Sequence, residues 1–335
     1  MTLMATEIAE QPAVLERVLA GVPPQLETLP ATRFVLLAAR GTSDNAALYA
    51  KYLVETAVGL PAGLASPSAM TLYGARLDLR DVLVIAVSQS GASPDLVETV
   101  EAARANGATT LAVTNAPSSP LAAAADLHVD VLAGPERAVP ATKSYTAQLL
   151  ALWLLCTAWA GGDLAAADGL PAAADALLDR SAEPAEELAA LLAPADRIVL
   201  TARGFAFATA CEAALKLMET SYVAAHAFSG ADLLHGPIAM VGPGEPALAI
   251  VPGGAGGAAM APVLDRLRGA GAQLAVLGDA GAHAASWSLP LPPAPESLSP
   301  ILQILPLQLL ALRMALVRGI DPDVPRRLSK VTLTR

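Results

Sequence analysis

The feature that most constrains this chain is that it repeats itself. Arg33-Phe-Val-Leu-Leu-Ala-Ala-Arg-Gly41 is matched by Arg197-Ile-Val-Leu-Thr-Ala-Arg-Gly204, each a short apolar run that closes on Arg-Gly before a helix-like stretch. Further on, Val100-Glu-Ala-Ala-Arg-Ala-Asn-Gly107-Ala is matched by Leu264-Asp-Arg-Leu-Arg-Gly-Ala-Gly271-Ala, and both lead into an apolar, strand-like run. Unrelated α/β stretches share turn glycines and Val/Leu strands. They do not share one order of matches at one spacing, so the pattern predicts a duplicated domain.

Each half alternates strand, glycine turn and helix, which implies βαβ units and a parallel sheet. The clearest unit has Val82–Val87 as a strand buried on both faces, Ser88–Ser93 as a turn and Pro94–Asn106 as a helix closed by Gly107. Ser93 suits the N-cap, Pro94 the first helical position and Gly107 the C-cap. The expected organisation is an N-terminal helical segment (1–30), a first α/β lobe (31–160), a helical connector (161–194), a second lobe (195–320) and a C-terminal tail or lid (321–335). The connector is assigned from the Ala-, Asp-, Glu- and Pro-rich stretch Gly161–Pro194.

Composition removes several function classes. With 54% hydrophobic and 16% charged residues among 335, the body of the chain is not disordered. A formal net charge of −10 opposes phosphate-backbone binding, so no nucleic acid partner is expected. The runs Leu149–Ala160 and Ile304–Val317 are short or interrupted by Pro306, Gln308 and Arg313, and fall below the roughly 20 unbroken apolar residues of a span. Glu7 and Glu10 stand where a signal peptide would carry positive charge. No membrane partner is therefore expected. Two cysteines, Cys156 and Cys211, make neither a disulfide framework nor a metal site, and a reducing cytoplasm is the expected setting.

Ser88-Gln-Ser-Gly-Ala-Ser93 joins a strand to a helix start, where ligands bind in open parallel sheets. Exposed N–H groups and the helix dipole attract an anion there, and the hydroxyls of Ser88, Ser90 and Ser93 can wrap a phosphate. The loop has neither the lysine of a nucleotide P-loop nor a G-x-G-x-x-G pattern, so a phosphomonoester on a small molecule fits better than a nucleotide. An N-capped, serine-rich turn without a ligand reads the same way in isolation. Gly41-Thr42-Ser43 and Ala141-Thr142-Lys143-Ser144 add hydroxyls, whereas the corresponding second-lobe loop, Pro252-Gly-Gly-Ala-Gly-Gly257, has none. A phosphate is therefore expected in the first lobe.

The second lobe carries acid/base candidates. Glu212, Lys216 and Glu219 fall at i, i+4 and i+7 on one helix face. That spacing serves general acid/base chemistry, and it equally describes a solvated face with an i,i+4 ion pair. His235 precedes a Gly-Pro turn, while His226 has no such context and reads as structural. The tail Asp321–Thr332 contains two prolines and little apolar periodicity. It reads as a solvated basic tail or as a lid carrying Lys330.

In order, Ser88-Gln-Ser-Gly91, Ala141-Thr-Lys143, Glu212-x-x-x-Lys216-x-x-Glu219, His235-Gly-Pro237 and Pro325-Arg-x-Leu-x-Lys330 resemble the sugar isomerase (SIS) family. More closely, they resemble the isomerase half of glutamine–fructose-6-phosphate aminotransferase and its stand-alone relatives, which include glucosamine-6-phosphate deaminases. The resemblance starts at Met4-Ala-Thr-Glu-Ile-Ala-Glu-Gln-Pro12 and covers nearly the whole chain.

The resemblance implies an α/β protein of two similar doubly wound parallel-sheet (flavodoxin-like) SIS lobes, three-layer αβα. It also implies that Thr42, Ser43, Ser88, Gln89, Ser90, Ser93 and Thr142 bind the phosphate and sugar. Glu219 would move a proton between C1 and C2, supported by Glu212 and Lys216. His235 would assist ring opening from the neighbouring subunit of a homodimer, and Lys330 would close over the site and form a Schiff base with a keto sugar. The implied chemistry needs neither a metal nor a cofactor.

Two departures bear on function. Neither a glutaminase domain with its N-terminal cysteine nor ammonia from glutamine is expected of this chain. Ala141 stands where the family motif has serine, after Pro140, which leaves one sugar contact and the identity of the sugar open. The expected activity is glucosamine 6-phosphate/fructose 6-phosphate isomerisation and deamination. The alternatives are synthesis of glucosamine 6-phosphate with ammonia or a partner amidotransferase, and a non-catalytic sugar-phosphate sensor.

Overall fold

A computed structural model describes residues 2–26, 29–281 and 285–330. The chain forms two compact units. The first comprises Ala13–Arg137, Lys143–Gly169 and the described residues from Leu328 onward. The second comprises Met1–Pro12, Ala138–Thr142 and Leu170–Arg327.

The first unit is built on a five-stranded sheet of β1 (Phe34–Ala38), β2 (Ala62–Leu64), β3 (Val82–Ser88), β4 (Thr109–Thr114) and β5 (Leu127–Asp130), in the order β2-β1-β3-β4-β5. All four pairings are parallel. The second unit holds β6 (Arg197–Ala202), β7 (Ala224–Ser229), β8 (Pro246–Val251), β9 (Gln273–Gly278) and β10 (Trp287–Leu289), in the order β10-β9-β8-β6-β7. Counted within each unit, both sheets have the same strand order and are parallel throughout.

The duplication extends to the backbone. The paired glycines Gly41 and Gly204 have φ of 57° and 60°, and Gly107 and Gly271 have 92° and 77°. These are left-handed positions at which a Cβ is strained.

Burial explains the strand sequences. Every residue of β3 and of β8 is buried, because helices cover both faces of a parallel sheet, and such strands read as continuous apolar runs rather than alternating ones. Leu96, Val100 and Leu121 pack against Ala38, Ala86 and Ala112 in the first unit. Met260, Val263, Leu264 and Leu267 pack on Ala247, Ala249 and Val276 in the second.

Segment 161–194, expected as a helical connector, is helical over most of its length. After a 3-10 turn at Leu164–Ala167, the helix Leu170–Leu192 belongs to the second unit and packs along the helix Ser299–Val317. Ser299–Val317 is long and apolar enough to cross a membrane by length and composition, but 78% of its most apolar window is buried against protein. The N-terminal segment is divided as well. Helix Leu3–Ala9 lies in the second unit, where Leu3 and Met4 N–H groups donate to Asp323 at 2.6 and 2.9 Å.

Candidate functional site

In the first unit, strand order changes direction between β1 and β3, and ligands of doubly wound sheets sit beyond the strand ends at that point. The register places Ala38 beside Ala86, so Ala39–Ser43 and Gln89–Ser93 leave neighbouring strands at the same sheet edge. The structure thus brings Thr42, Ser43, Ser88, Gln89, Ser90 and Ser93 together.

Most of these groups are already held. The Ser88 hydroxyl accepts the Gly91 N–H at 3.1 Å and the Ser90 hydroxyl accepts the Ala92 N–H at 3.3 Å, which shapes the loop. The Gln89 carbonyl accepts the Asn115 N–H at 3.1 Å. Ser43, first-turn residue of the helix Thr42–Leu53, is buried and accepts from Gln148 Nε2 at 3.1 Å. Gly91 has φ of 60°, and a Cβ there would collide with the Ser119 side chain. Ser93 occupies the N-cap of the helix Pro94–Ala105, as its sequence suggests, but its side chain makes no capping bond. The start of that helix is therefore left without a side-chain cap, the kind of helix end at which anions bind.

The same position in the second unit is filled from within. Beyond β8, the Ala255 and Gly256 N–H groups each donate to the Glu296 carboxylate at 2.8 Å. A Cβ on Gly254 would collide with that carboxylate. The glycine-rich loop, lacking hydroxyls, thus wraps a side-chain anion.

The acid/base candidates lie on the helix Ala206–Ser221, which packs on β6, β7 and the helix Ser299–Val317. Lys216 Nζ lies 3.5 Å from Glu212 and is hydrogen-bonded to Glu219. Side-chain exposure is 0% for Glu212 and Lys216 and 22% for Glu219. The solvated-face alternative is thereby excluded. The helix had a signal for this: AFATACEAALKLMETS carries three charged residues among small and apolar ones. A buried ammonium is costly unless paired, so Lys216 orients a carboxylate whose outer edge reaches solvent.

His235 ends the short helix Gly230–Leu234, its main-chain N–H donating to the Asp232 carbonyl at 3.0 Å. Its side chain is exposed within the chain. His226 is exposed on the edge strand β7 and lies beside Phe228, with ring centroids 6.5 Å apart. Thr142 is buried in the second unit, its carbonyl accepting from Gln308 Nε2 at 3.2 Å.

Lys330 belongs to the first unit, where Nζ donates to the buried Glu136 carboxylate at 2.7 Å. Glu136 is not among the residues that the sequence singled out. Burial by itself would raise its pKa. The nearby Lys330 charge, with hydrogen bonds from Lys330 and from the Ser144 hydroxyl and N–H, outweighs burial and lowers it.

Residues 31–158 and 191–318 each match the SIS domain. Glutamine–fructose-6-phosphate aminotransferase (isomerizing) of Pyrococcus horikoshii is 34% identical over 340 residues, which take in 98% of this chain and 57% of that protein. The chain thus spans little more than half the length of this relative. Among solved structures, a proposed phosphosugar isomerase from Silicibacter pomeroyi DSS-3 superposes with a TM-score of 0.86 at 33% identity, covering 96% of this chain and all of the other. The C-terminal domain of glucosamine-fructose-6-phosphate aminotransferase from Francisella tularensis gives 0.88 at 25% identity, over 97% of this chain and 98% of that one. With two matched copies laid on two sheets of one strand order, the chain belongs to the SIS-domain family.

Proposed function

We propose that the chain is a phosphosugar isomerase and aminosugar-phosphate deaminase that interconverts glucosamine 6-phosphate with fructose 6-phosphate and ammonia. The observation that carries this reading is Glu219, a carboxylate with an exposed edge backed by the fully buried Lys216. A sensor needs hydroxyls and N–H groups for its ligand, but no such base.

In the proposed route the phosphate sits on the Ser88–Ser93 loop and the helix start behind it. Glu219 takes the C2 proton of the open-chain amino aldehyde, giving an enolamine, and returns a proton at C1 to leave an imine at C2. Water adds to that carbon and ammonia departs, so glucosamine 6-phosphate and water become fructose 6-phosphate and ammonia. A positioned carboxylate contributes about 10²–10⁴-fold to such a step. His235 assists ring opening across a homodimer interface. Its exposure, beside Leu234 at 38% and Met240 at 36%, suits a surface that a second copy covers.

Incubation of the pure protein with glucosamine 6-phosphate, read for fructose 6-phosphate and ammonia, tests the reading. Product is expected, with a loss of at least about a hundredfold in Glu219→Gln. No product from the wild type, together with tight binding of the sugar phosphate, would establish a sensor instead. An active monomer in sedimentation would remove His235 from the neighbouring site. Synthesis of glucosamine 6-phosphate from fructose 6-phosphate and ammonia is the second reading. It is favoured by the 34% identity to an isomerizing aminotransferase and is tested by the reverse assay.

A further inference from the structure

We propose that Glu136 is the positioning residue for Lys330: a buried carboxylate that docks the tail at Lys330 on the first unit and fixes where its amine is held. The assignment rests on the reading of Lys330 as a site residue. The docking itself stands on geometry alone.

The anchor is built in advance of the lysine. Asn115, just beyond β4, grips the turn before Glu136, with its Oδ1 accepting the Ala133 N–H and its Nδ2 donating to the Gly134 carbonyl, both at 2.8 Å. Arg17 donates to the Leu132 and Ala133 carbonyls at 3.1 and 3.2 Å. From that fixed turn the Glu136 side chain, with 0% exposure, reaches the start of the helix Lys143–Trp159. There Ser144 donates through its N–H at 3.0 Å and its hydroxyl at 2.7 Å. A carboxylate at a helix start is favoured by the dipole as well as by these donors. Lys330 Nζ then binds the same oxygen as the Ser144 hydroxyl, Oε2, with its own side chain 23% exposed.

Upstream, the tail is held by other contacts. Asp323 accepts from Leu3 and Met4, and the Arg326 guanidinium stacks on Tyr222 at 4.6 Å while the Arg326 N–H donates to the Tyr222 hydroxyl at 2.8 Å. The backbone then turns through Arg327, whose φ of 59° is an uncommon conformation for a residue with a side chain. Beyond that turn, Lys330–Glu136 is a charge-assisted bond into a buried acceptor, the strong kind. While it persists, the Lys330 amine is engaged by Glu136, and it reaches a ligand fully only after leaving that carboxylate.

The test uses the full chain and a readout that needs no substrate, the rate of tryptic cleavage at Arg326, Arg327 and Lys330 under native conditions. Glu136→Gln is expected to speed cleavage about tenfold, Lys330→Gln to do the same at the two arginines, and the double variant to add nothing further. Cleavage unchanged in Glu136→Gln, or fully additive effects, would overturn the proposal. Should Glu136→Gln fold poorly because Ser144 loses its acceptor, Lys330→Gln, which leaves Glu136 and Ser144 in place, still decides: a tail as protected as in the wild type refutes the anchor.

Turnover separates this idea from the function it rests on. With the anchor and the function both correct, Glu136→Gln lowers kcat more than it raises KM, and Glu136→Asp recovers part of kcat. If the tail is released but neither variant alters turnover, the anchor stands and Lys330 is not a site residue. If Lys330→Gln is inactive while Glu136→Gln leaves both tail and kcat unchanged, Lys330 stands as a site residue and the anchor is refuted.

Discussion

Replacing Lys216 by methionine tests whether the buried cluster is held together as described. Methionine keeps most of the volume and removes the charge. Glu212, fully buried, then loses the ammonium 3.5 Å away, and Glu219 loses its hydrogen-bond donor. Breaking a buried pair from one side costs about 3–5 kcal/mol, because a carboxylate is left without its counter-charge in a poorly polarisable surrounding. At about 2–4 °C per kcal/mol for a unit of this size, the melting temperature should fall by roughly 6–20 °C. Glu212→Leu with Lys216→Met removes both charges and should recover most of that loss, since an apolar replacement of a buried pair is often close to neutral. Scanning calorimetry on the four proteins of the cycle measures both effects. A single Lys216→Met variant within about 1 kcal/mol of wild type, or a double variant no better than the single, would refute the claim that the ammonium compensates buried charge.

Three further outcomes are expected. Gly91→Ala places a Cβ against Ser119 at φ of 60°, so it should lose about 1–3 kcal/mol of stability and weaken phosphosugar binding by calorimetry; unchanged binding would take the loop out of the site. The Glu136 carboxylate has a lowered folded pKa, so its stabilisation is complete above its unfolded value of about 4.3 and is lost as pH falls through the folded one. Tryptic protection of the tail, assayed after acid pulses, should decline in that window, and Glu136→Gln should remove the dependence. Burial pushes the Cys156 thiol up to about 12, so alkylation should be roughly a thousandfold slower in the native protein than in urea, and fast native labelling would contradict its burial.

Elements that depend on local pattern were legible in the sequence. β3, the serine loop and the following helix emerge where the apolar run, Ser93, Pro94 and Gly107 place them, with the helix ending at Ala105 and Gly107 turning at φ of 92°. Side-chain partners distant in sequence were not. Glu136 meets Lys330 194 positions later, and Glu296 reaches Ala255 and Gly256 about 40 positions away, so no local spacing marks either pair. The Glu212–Lys216–Glu219 face was ambiguous for a different reason. An i,i+4 ion pair looks the same on a solvated helix and on a covered one, and only packing against Ser299–Val317 distinguishes them. Segment 161–194 is expected to be helical and holds the helix Leu170–Leu192, which runs through Pro184, but its packing along Ser299–Val317 has no local signal.

The Glu296 carboxylate in the second unit's glycine loop has a thermodynamic consequence. A loop that must wait for its ligand gains order, and hence stability, with ligand concentration. A loop whose anion is supplied by its own chain is saturated at every concentration and gains nothing from added phosphate. The two copies of this fold therefore differ in what they can report. Stabilisation by a phosphosugar should saturate at one equivalent per chain and register in the first unit's sheet, while the second behaves as a permanently liganded twin.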